Sequence, residues 1–246
     1  MILVFGGTTE GKQVAAYLEE RGWDYWYSTK TAIDFQGRGN YRSGAFSAIE
    51  LVDFCKKQQI TTIIDAAHPF AMTLHTMLAK LPLGIPKIRF ERQFSSRVAH
   101  PLIRYVDSYE EALALFNEKQ YTSVLALTGV QSIERLKPFW LHTPCWFRIL
   151  NRTASLNGAV KVGFQKERLI LGRFESFRSE VALYRKINPA VILIKESGIN
   201  AGLDQKIQAA IATETPMYIL KKPSLPENLH RITDIATLDK VLEREY

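Results

Sequence analysis

The first chemically suggestive segment of this sequence is Gly6-Gly7-Thr8-Thr9-Glu10-Gly11, where glycines stand next to hydroxyl and carboxylate side chains. It follows the apolar run Ile2–Phe5 and precedes a helical spacing of apolar residues at Val14, Tyr17 and Leu18. Glycine in a strand-to-helix turn lets the backbone approach a phosphate, and a helix N-terminus favours negative charge. The spacing is not the full GxGxxG of a dinucleotide site, and a plain tight turn is the simpler alternative. Gly6 to Lys12 also fits GxxxxGK, the opening of a P-loop, with Asp65 as the acid that helps hold magnesium. Gln13, however, stands where that loop needs Ser or Thr, and Glu10 would put a negative charge inside the phosphate cradle.

A second segment, Asp65-Ala66-Ala67-His68-Pro69-Phe70-Ala71, closes the β-branched run 61–64. His68 can hydrogen-bond a substrate carboxylate or donate a proton there. A structural histidine, with Asp65 capping its own turn, is the plainer alternative. A third segment, Lys195-Glu196-Ser197-Gly198, closes the run 191–194, and Lys206 follows on the next helical pattern. The two lysines can address anionic groups or simply be solvated. At the end of the second strand stand Ser28, Thr29 and Lys30. An NAD site usually offers an acid to the ribose at that place. Its absence favours a 2′-phosphate, hence NADPH over NADH, if a dinucleotide binds in this way.

All three segments must be carried at the ends of strands, and the rest of the pattern supplies them. Apolar strand-like runs at 2–5, 25–27, 61–64 and 85–90 alternate with helical spacings, one of them opened by Ser47 with Glu50 in a capping box. A further helix is expected near Pro69. The rhythm breaks in the charged segment 91–101 and resumes with strands at 103–106, 123–127, 146–150, 191–194 and 217–220. Helices are expected after Ser108 and at 181–187, 203–212 and 235–244. Such alternation predicts an α/β fold with mostly parallel sheets. We expect two Rossmann-like lobes, 1–98 and 99–246, with a cleft between them and the last helix packing back on the first lobe. Ligands in such sheets bind beyond the carboxyl ends of the strands.

The balance of charge is +7. It favours anionic partners. The basic residues are dispersed, so no nucleic-acid surface is expected. No apolar run reaches the roughly 18 residues of a membrane span, and no leader pattern opens the chain. A cytoplasmic protein without a membrane partner is therefore expected. Cys55 and Cys145 lie far apart with no CxxC or Cys/His cluster. They read as buried thiols rather than metal ligands.

Taken together, these segments resemble the precorrin-6A reductase family, including its cobalt-precorrin-6A branch, over nearly the whole chain. Gly6-Gly7-Thr8 with Glu10 matches the family's GGT-x-E opening. Asp65 to Ala71 matches its DATHPFA signature with Ala67 in place of Thr, and Thr128-Gly129 matches a strand-end TG. Lys195 with Ser197-Gly198, then Lys206 with Ala209-Ala210, matches KxSG…KxxAA, and Lys222-Pro223 replaces the usual Arg-Pro.

The resemblance implies an NAD(P)H-dependent reductase acting on one double bond of an anionic corrin precursor in cobalamin biosynthesis, with no metal. Substrate passage between neighbouring enzymes of the pathway is a further implication. Gly6, Gly7, Thr8, Thr9, Glu10, Ser28 and Thr29 would hold the cofactor. His68, Pro69, Phe70, Thr128, Gly129, Arg148, Lys195, Ser197, Gly198 and Lys206 would meet the substrate, with His68 and Lys195 as catalytic candidates. Two other classes stand beside this one: a non-catalytic dinucleotide or tetrapyrrole sensor, and the P-loop-like hydrolase.

Overall fold

A computed structural model describes residues 1–92, 94, 96–198, 202–226 and 228–245. The chain divides into two units, residues 1–93 with 223–246 and residues 94–222. In the first unit β1 (Ile2–Phe5), α1 (Thr9–Glu20), β2 (Tyr25–Thr29), β3 (Asn40–Ser43), α2 (Ala48–Lys57), β4 (Thr62–Asp65), α3 (Met72–Lys80) and β5 (Lys87–Phe90) follow one another. The second unit holds β6 (Ile103–Val106), α4 (Tyr109–Glu118), β7 (Val124–Leu127), α5 (Gln131–Arg135), α6 (Lys137–Trp140), β8 (Cys145–Ile149) and α7 (Thr153–Lys161). It continues with β9 (Leu169–Leu171), α8 (Phe177–Ile187), β10 (Val191–Lys195), α9 (Leu203–Ala212) and β11 (Met217–Leu220). The tail returns to the first unit as β12 (His230–Ile232) and α10 (Ile235–Glu245).

Each unit is built on a six-stranded sheet, in the orders β12-β5-β4-β1-β2-β3 and β6-β11-β10-β7-β8-β9. Every pair within the two sheets is parallel. Counted from β1 and from β7, both orders are the 3-2-1-4-5-6 of a doubly wound sheet. The sixth place is filled by the chain's last strand in one unit and by the strand preceding β7 in the other. The chain turns from one side of the sheet to the other between β1 and β4, and again between β7 and β10. Those are the topological switch points at which such sheets bind ligands.

The continuous apolar runs are the signature of strands buried on both faces. Ile2 and Val4 pack with Val14, Leu18, Leu238 and Leu242 on one face of the first sheet. Leu3 and Phe5 pack with Leu51, Cys55 and Leu78 on the other. In the second sheet Ile192 and Ile194 meet Ile207 and Ala210 of α9. Tyr218 meets the Phe116 ring of α4 edge-on, with centroids 5.2 Å apart. Each fully buried aliphatic or aromatic side chain of this kind contributes about 1.5–3 kcal/mol.

The sequence placed the boundary at 98/99 and assigned 99–246 to the second lobe, with the last helix packing back on the first. In the structure the division falls at 93/94, and the tail belongs to the first unit. Ile232, Leu238 and Leu242 are buried in that unit's core, and Asp239 of α10 receives the Tyr17 hydroxyl of α1 and the guanidinium of Arg21, which caps that helix. Helix α3 begins at Met72 rather than near Pro69, because His68 to Ala71 close a turn in which the Ala71 amide donates to the His68 carbonyl. Among the described residues, no helix is long and apolar enough to cross a membrane.

Candidate active site

Two strand-end assemblies form at the two switch points, one in each unit. In the first, the register Phe5↔Asp65 sets the Gly6–Gly11 turn beside the Asp65–Ala71 segment. Thr8 ties them together: its hydroxyl donates to the Ala66 carbonyl at 2.8 Å and accepts from the Gly11 amide at 3.0 Å, capping α1. Gly7 has φ +93°, in the left-handed region that favours glycine. A Cβ on Gly7 would meet only the Thr29 methyl, at 3.7 Å, so the chain leaves the space over this turn open. Gly6 serves a different purpose, since a Cβ there would lie 2.1 Å from Tyr27 Cζ. The Tyr27 hydroxyl accepts from the Gly7 amide at 2.9 Å, and the Gly6 amide donates to the Ser28 carbonyl at 2.9 Å. The amides of both glycines are therefore spent inside the protein, and they shape the turn rather than offer free donors.

Glu10 opens α1 and is only 4% exposed. Its Oε2 receives Arg92 at 2.8 Å, while its buried Oε1 has no hydrogen-bond partner among the described residues. A buried carboxylate oxygen with spare acceptor capacity suits a sugar hydroxyl. The open space over Gly7 lies at the strand-to-helix turn where such folds bring a phosphate close to the backbone. Of the cofactor-binding candidates, Gly7 leaves space over the turn and Glu10 a spare acceptor, while the Gly6 and Gly7 amides are taken.

Beneath the Asp65–Ala71 segment lies a buried network. Asp65 Oδ2 lies 2.6 Å from His75 Nδ1, and Asp65 Oδ1 receives Arg89 at 3.0 Å. Arg89 also donates to the carbonyls of Asp65 and Ala67, and His75 Nε2 faces the His68 carbonyl at 3.1 Å. Both ring nitrogens of His75 are thus engaged, one by Asp65 and one by the His68 carbonyl. Burial raises the Asp65 carboxyl, but the His75 hydrogen bond and the Arg89 charge outweigh it and hold the group below the usual carboxylate range. With its carboxylate so engaged, Asp65 is not the magnesium acid of a P-loop. The network holds the backbone of residues 65–68 from below and leaves the His68 ring exposed above it. His68 Nδ1 accepts from the Phe70 amide at 3.2 Å, so Nε2 carries the proton of the neutral ring. Pro69 is buried and Phe70 half-buried.

In the second unit the register Leu127↔Ile194 sets Thr128-Gly129 beside Lys195. Gly129, like Gly7, lies two residues past its strand and has φ +82°. Thr128 is buried against Ser132, whose hydroxyl donates to the Gly129 carbonyl at 2.7 Å. Burial and the nearby Arg135 charge lower Lys195 to about 8. Two residues on, the buried Ser197 hydroxyl has no partner among the described residues. Gly198 beside it is buried. Glu196, between them, receives Arg97 at 2.8 and 3.1 Å and the Lys222 amide at 2.8 Å, which pins the loop that carries Lys195. Lys206 of α9 stands 4.9 Å from the Phe174 ring centroid and is lowered to about 8, first by burial.

The structure thus gathers Thr128, Gly129, Lys195, Ser197 and Gly198 on one strand-end edge. Arg148 is placed differently from its expected role. Its two terminal nitrogens bond the two carboxylate oxygens of Glu180 at 2.6 and 2.7 Å, both side chains buried, so its charge is already met. Arg135, Arg89, His75 and Tyr27 were not singled out from the sequence. Only Arg89 left a signal, as a charge inside the otherwise buried strand Lys87–Phe90. The cysteines are buried, and burial pushes Cys55 up to about 11 and Cys145 up to about 12, so neither offers a thiolate near neutral pH.

A family model described as precorrin-6x reductase CbiJ/CobK matches residues 1–244. The cobalt-precorrin-6A reductase of Methanocaldococcus jannaschii is 26% identical over 234 residues, covering 91% of this chain and 91% of that protein. The cobalt-precorrin-6A reductase of Priestia megaterium is 27% identical over 237 residues, covering 92% and 91%. Among solved structures, CobK precorrin-6A reductase aligns with a TM-score of 0.81 at 21% identity, covering 99% of this chain and 96% of its own, a likeness of fold.

Proposed function

The chain belongs to the precorrin-6x reductase CbiJ/CobK family, and from that premise we propose how its two strand-end edges divide the reaction. The protein is an oxidoreductase of cobalamin biosynthesis that reduces precorrin-6A at a CH–CH bond with a nicotinamide cofactor. A bound nicotinamide supplies the hydride. The edge of the first unit holds the cofactor: Gly7 keeps the turn open, Thr8 and Thr9 flank it, and Glu10 Oε1 accepts a ribose hydroxyl. Ser28 and Thr29 lie under the adenosine half, and their neutral side chains favour NADPH.

The edge of the second unit holds the corrin precursor, whose rim carries carboxylates. Lys195 Nζ and Lys206 Nζ meet those carboxylates as ammonium groups, and the Ser197 and Thr128 hydroxyls add hydrogen bonds. Lys195 Nζ also holds the proton that completes the reduction, because an ammonium destabilised by burial gives up its proton more readily. His68, its ring exposed at the edge of the first unit, is the catalytic candidate of that unit. The observation that carries this reading is the placing of the lowered Lys195 and of a Ser197 hydroxyl with no partner among the described residues on one edge with Thr128.

The pH dependence follows with its sign. In the free enzyme Lys195 is an ammonium below about 8 and loses that charge as pH rises through it. The value of kcat/KM for the corrin precursor should therefore be flat below that pH and fall above it. A bound carboxylate favours the charged form, so the kcat profile should break at higher pH. A kcat/KM profile flat to pH 10 or beyond would remove Lys195 from both roles.

A further inference from the structure

Strand β3 places an arginine at the edge assigned to the adenosine half of the cofactor. In the parallel register Phe5 stands beside Ser28, and Ser28 beside Arg42. Neighbouring strands lie about 4.8 Å apart, so Arg42 is one strand beyond the end of β2. Its Nη1 donates to Ser28 Oγ at 3.0 Å and to the Gly44 carbonyl at 3.1 Å, both uncharged acceptors. Its guanidinium lies 3.5 Å from the Phe46 ring centroid, a stacked position that fixes its plane. No carboxylate among the described residues pairs with it. Glu50, the acid that acts on it electrostatically, is committed to the Ser47 amide at 2.7 Å. Burial lowers the Arg42 guanidinium from its ordinary value.

A half-buried, pre-oriented cation whose Nη1 acceptors are neutral has lost hydration that an anion would restore more fully. The other buried arginines of the two sheets, Arg89 and Arg148, each have a carboxylate. Arg42 differs from them in place as well as in pairing, since it sits at the carboxyl edge next to the strand whose end receives the adenosine ribose in such folds. A guanidinium fork matches phosphate geometry.

We propose that Arg42 binds the 2′-phosphate of NADPH and is the residue by which this chain selects NADPH over NADH. The proposal rests on the reading that the adenosine half of the cofactor lies over the edge of β1 and β2. Ser28 Oγ holds the fork in position, and Phe46 holds its plane.

The test uses two adenosine fragments titrated calorimetrically into the full chain, adenosine 2′,5′-bisphosphate and 5′-AMP. The wild type should bind the bisphosphate about 10- to 100-fold more tightly, the range of one or two charge-assisted hydrogen bonds. Arg42→Gln should abolish that difference and leave 5′-AMP binding unchanged, with circular dichroism confirming the fold. Arg42→Lys should retain part of the difference, because it keeps the charge and loses the fork. The ratio of kcat/KM for NADPH over NADH should fall in parallel. Equal binding of the two fragments by the wild type, or a preference that survives Arg42→Gln, overturns the assignment of Arg42 and leaves the adenosine placement standing. Binding of neither fragment, in a protein that still consumes NADPH with its corrin substrate, overturns the placement and Arg42 with it.

Discussion

Lys195→Met is expected to lower kcat/KM for the corrin precursor by about 100- to 1,000-fold, the usual loss when a group that stabilises developing charge is removed. The ammonium is held against burial and the Arg135 charge, and methionine replaces it with an apolar chain of similar length. Lys195 also makes stability depend on pH in a definite direction. Its folded value, about 8, lies below its ordinary 10.5, so the unfolded chain binds more protons between the two. Stability therefore rises with pH across that window, and Lys195→Met should flatten the rise, with Lys206 accounting for what remains. Steady-state kinetics and thermal unfolding from pH 7 to 10 read both effects. Near-normal turnover would show that the lysine neither binds carboxylates nor gives a proton.

Arg89→Met is expected to cost about 3–5 kcal/mol of stability, the penalty for leaving one member of a buried pair without the other. Arg89 and Asp65 are each 1% exposed, and Arg89 alone bonds three oxygens of residues 65–67. The double variant Asp65→Leu/Arg89→Met should be less destabilised than the single losses predict together, because it removes the buried carboxylate along with its guanidinium partner. The acid limb should move as well. Asp65 contributes stability that is present above its unfolded value of about 3.9 and lost as pH falls through its lower folded value. Arg89→Met removes one of the charges that depress it, so that loss should begin at higher pH. Denaturant unfolding of the three proteins decides the matter, and a single-variant loss under about 1 kcal/mol would mean the network is not held in the way described.

The fold was legible where strands are buried on both faces. Ile2–Phe5 and Val191–Lys195 announce themselves as unbroken apolar runs that end in glycine or in the Lys-Glu-Ser-Gly turn. Three edge strands were not. Asn40–Ser43, Leu169–Leu171 and His230–Ile232 have one neighbour each; Leu169–Leu171 is an apolar run of only three residues, and the other two carry mostly exposed or polar side chains. Arg42 was missed for that reason: it lies on a strand whose residues read as loop. Helix α7 was missed because it has no side-chain cap and contains Gly158.

The strand-end motifs were legible in kind, since glycine turns and charged residues after apolar runs mark carboxyl edges. Their internal chemistry was not. Nothing in the spacing says that Gly6 makes room for the Tyr27 ring, or that Arg148 has its charge taken by Glu180 across 32 residues of sequence. The return of the last helix to the first lobe was expected from the sequence, but strand β12, which leads the tail back into the first sheet, was not.

The most direct test of the account is anaerobic consumption of reduced nicotinamide by the purified protein, followed by its absorbance, with precorrin-6A or its cobalt form supplied. The account predicts oxidation that depends on the corrin precursor, proceeds faster with NADPH than with NADH, and is lost in Lys195→Met. Folded wild-type protein that oxidises neither nucleotide with either ring would contradict it.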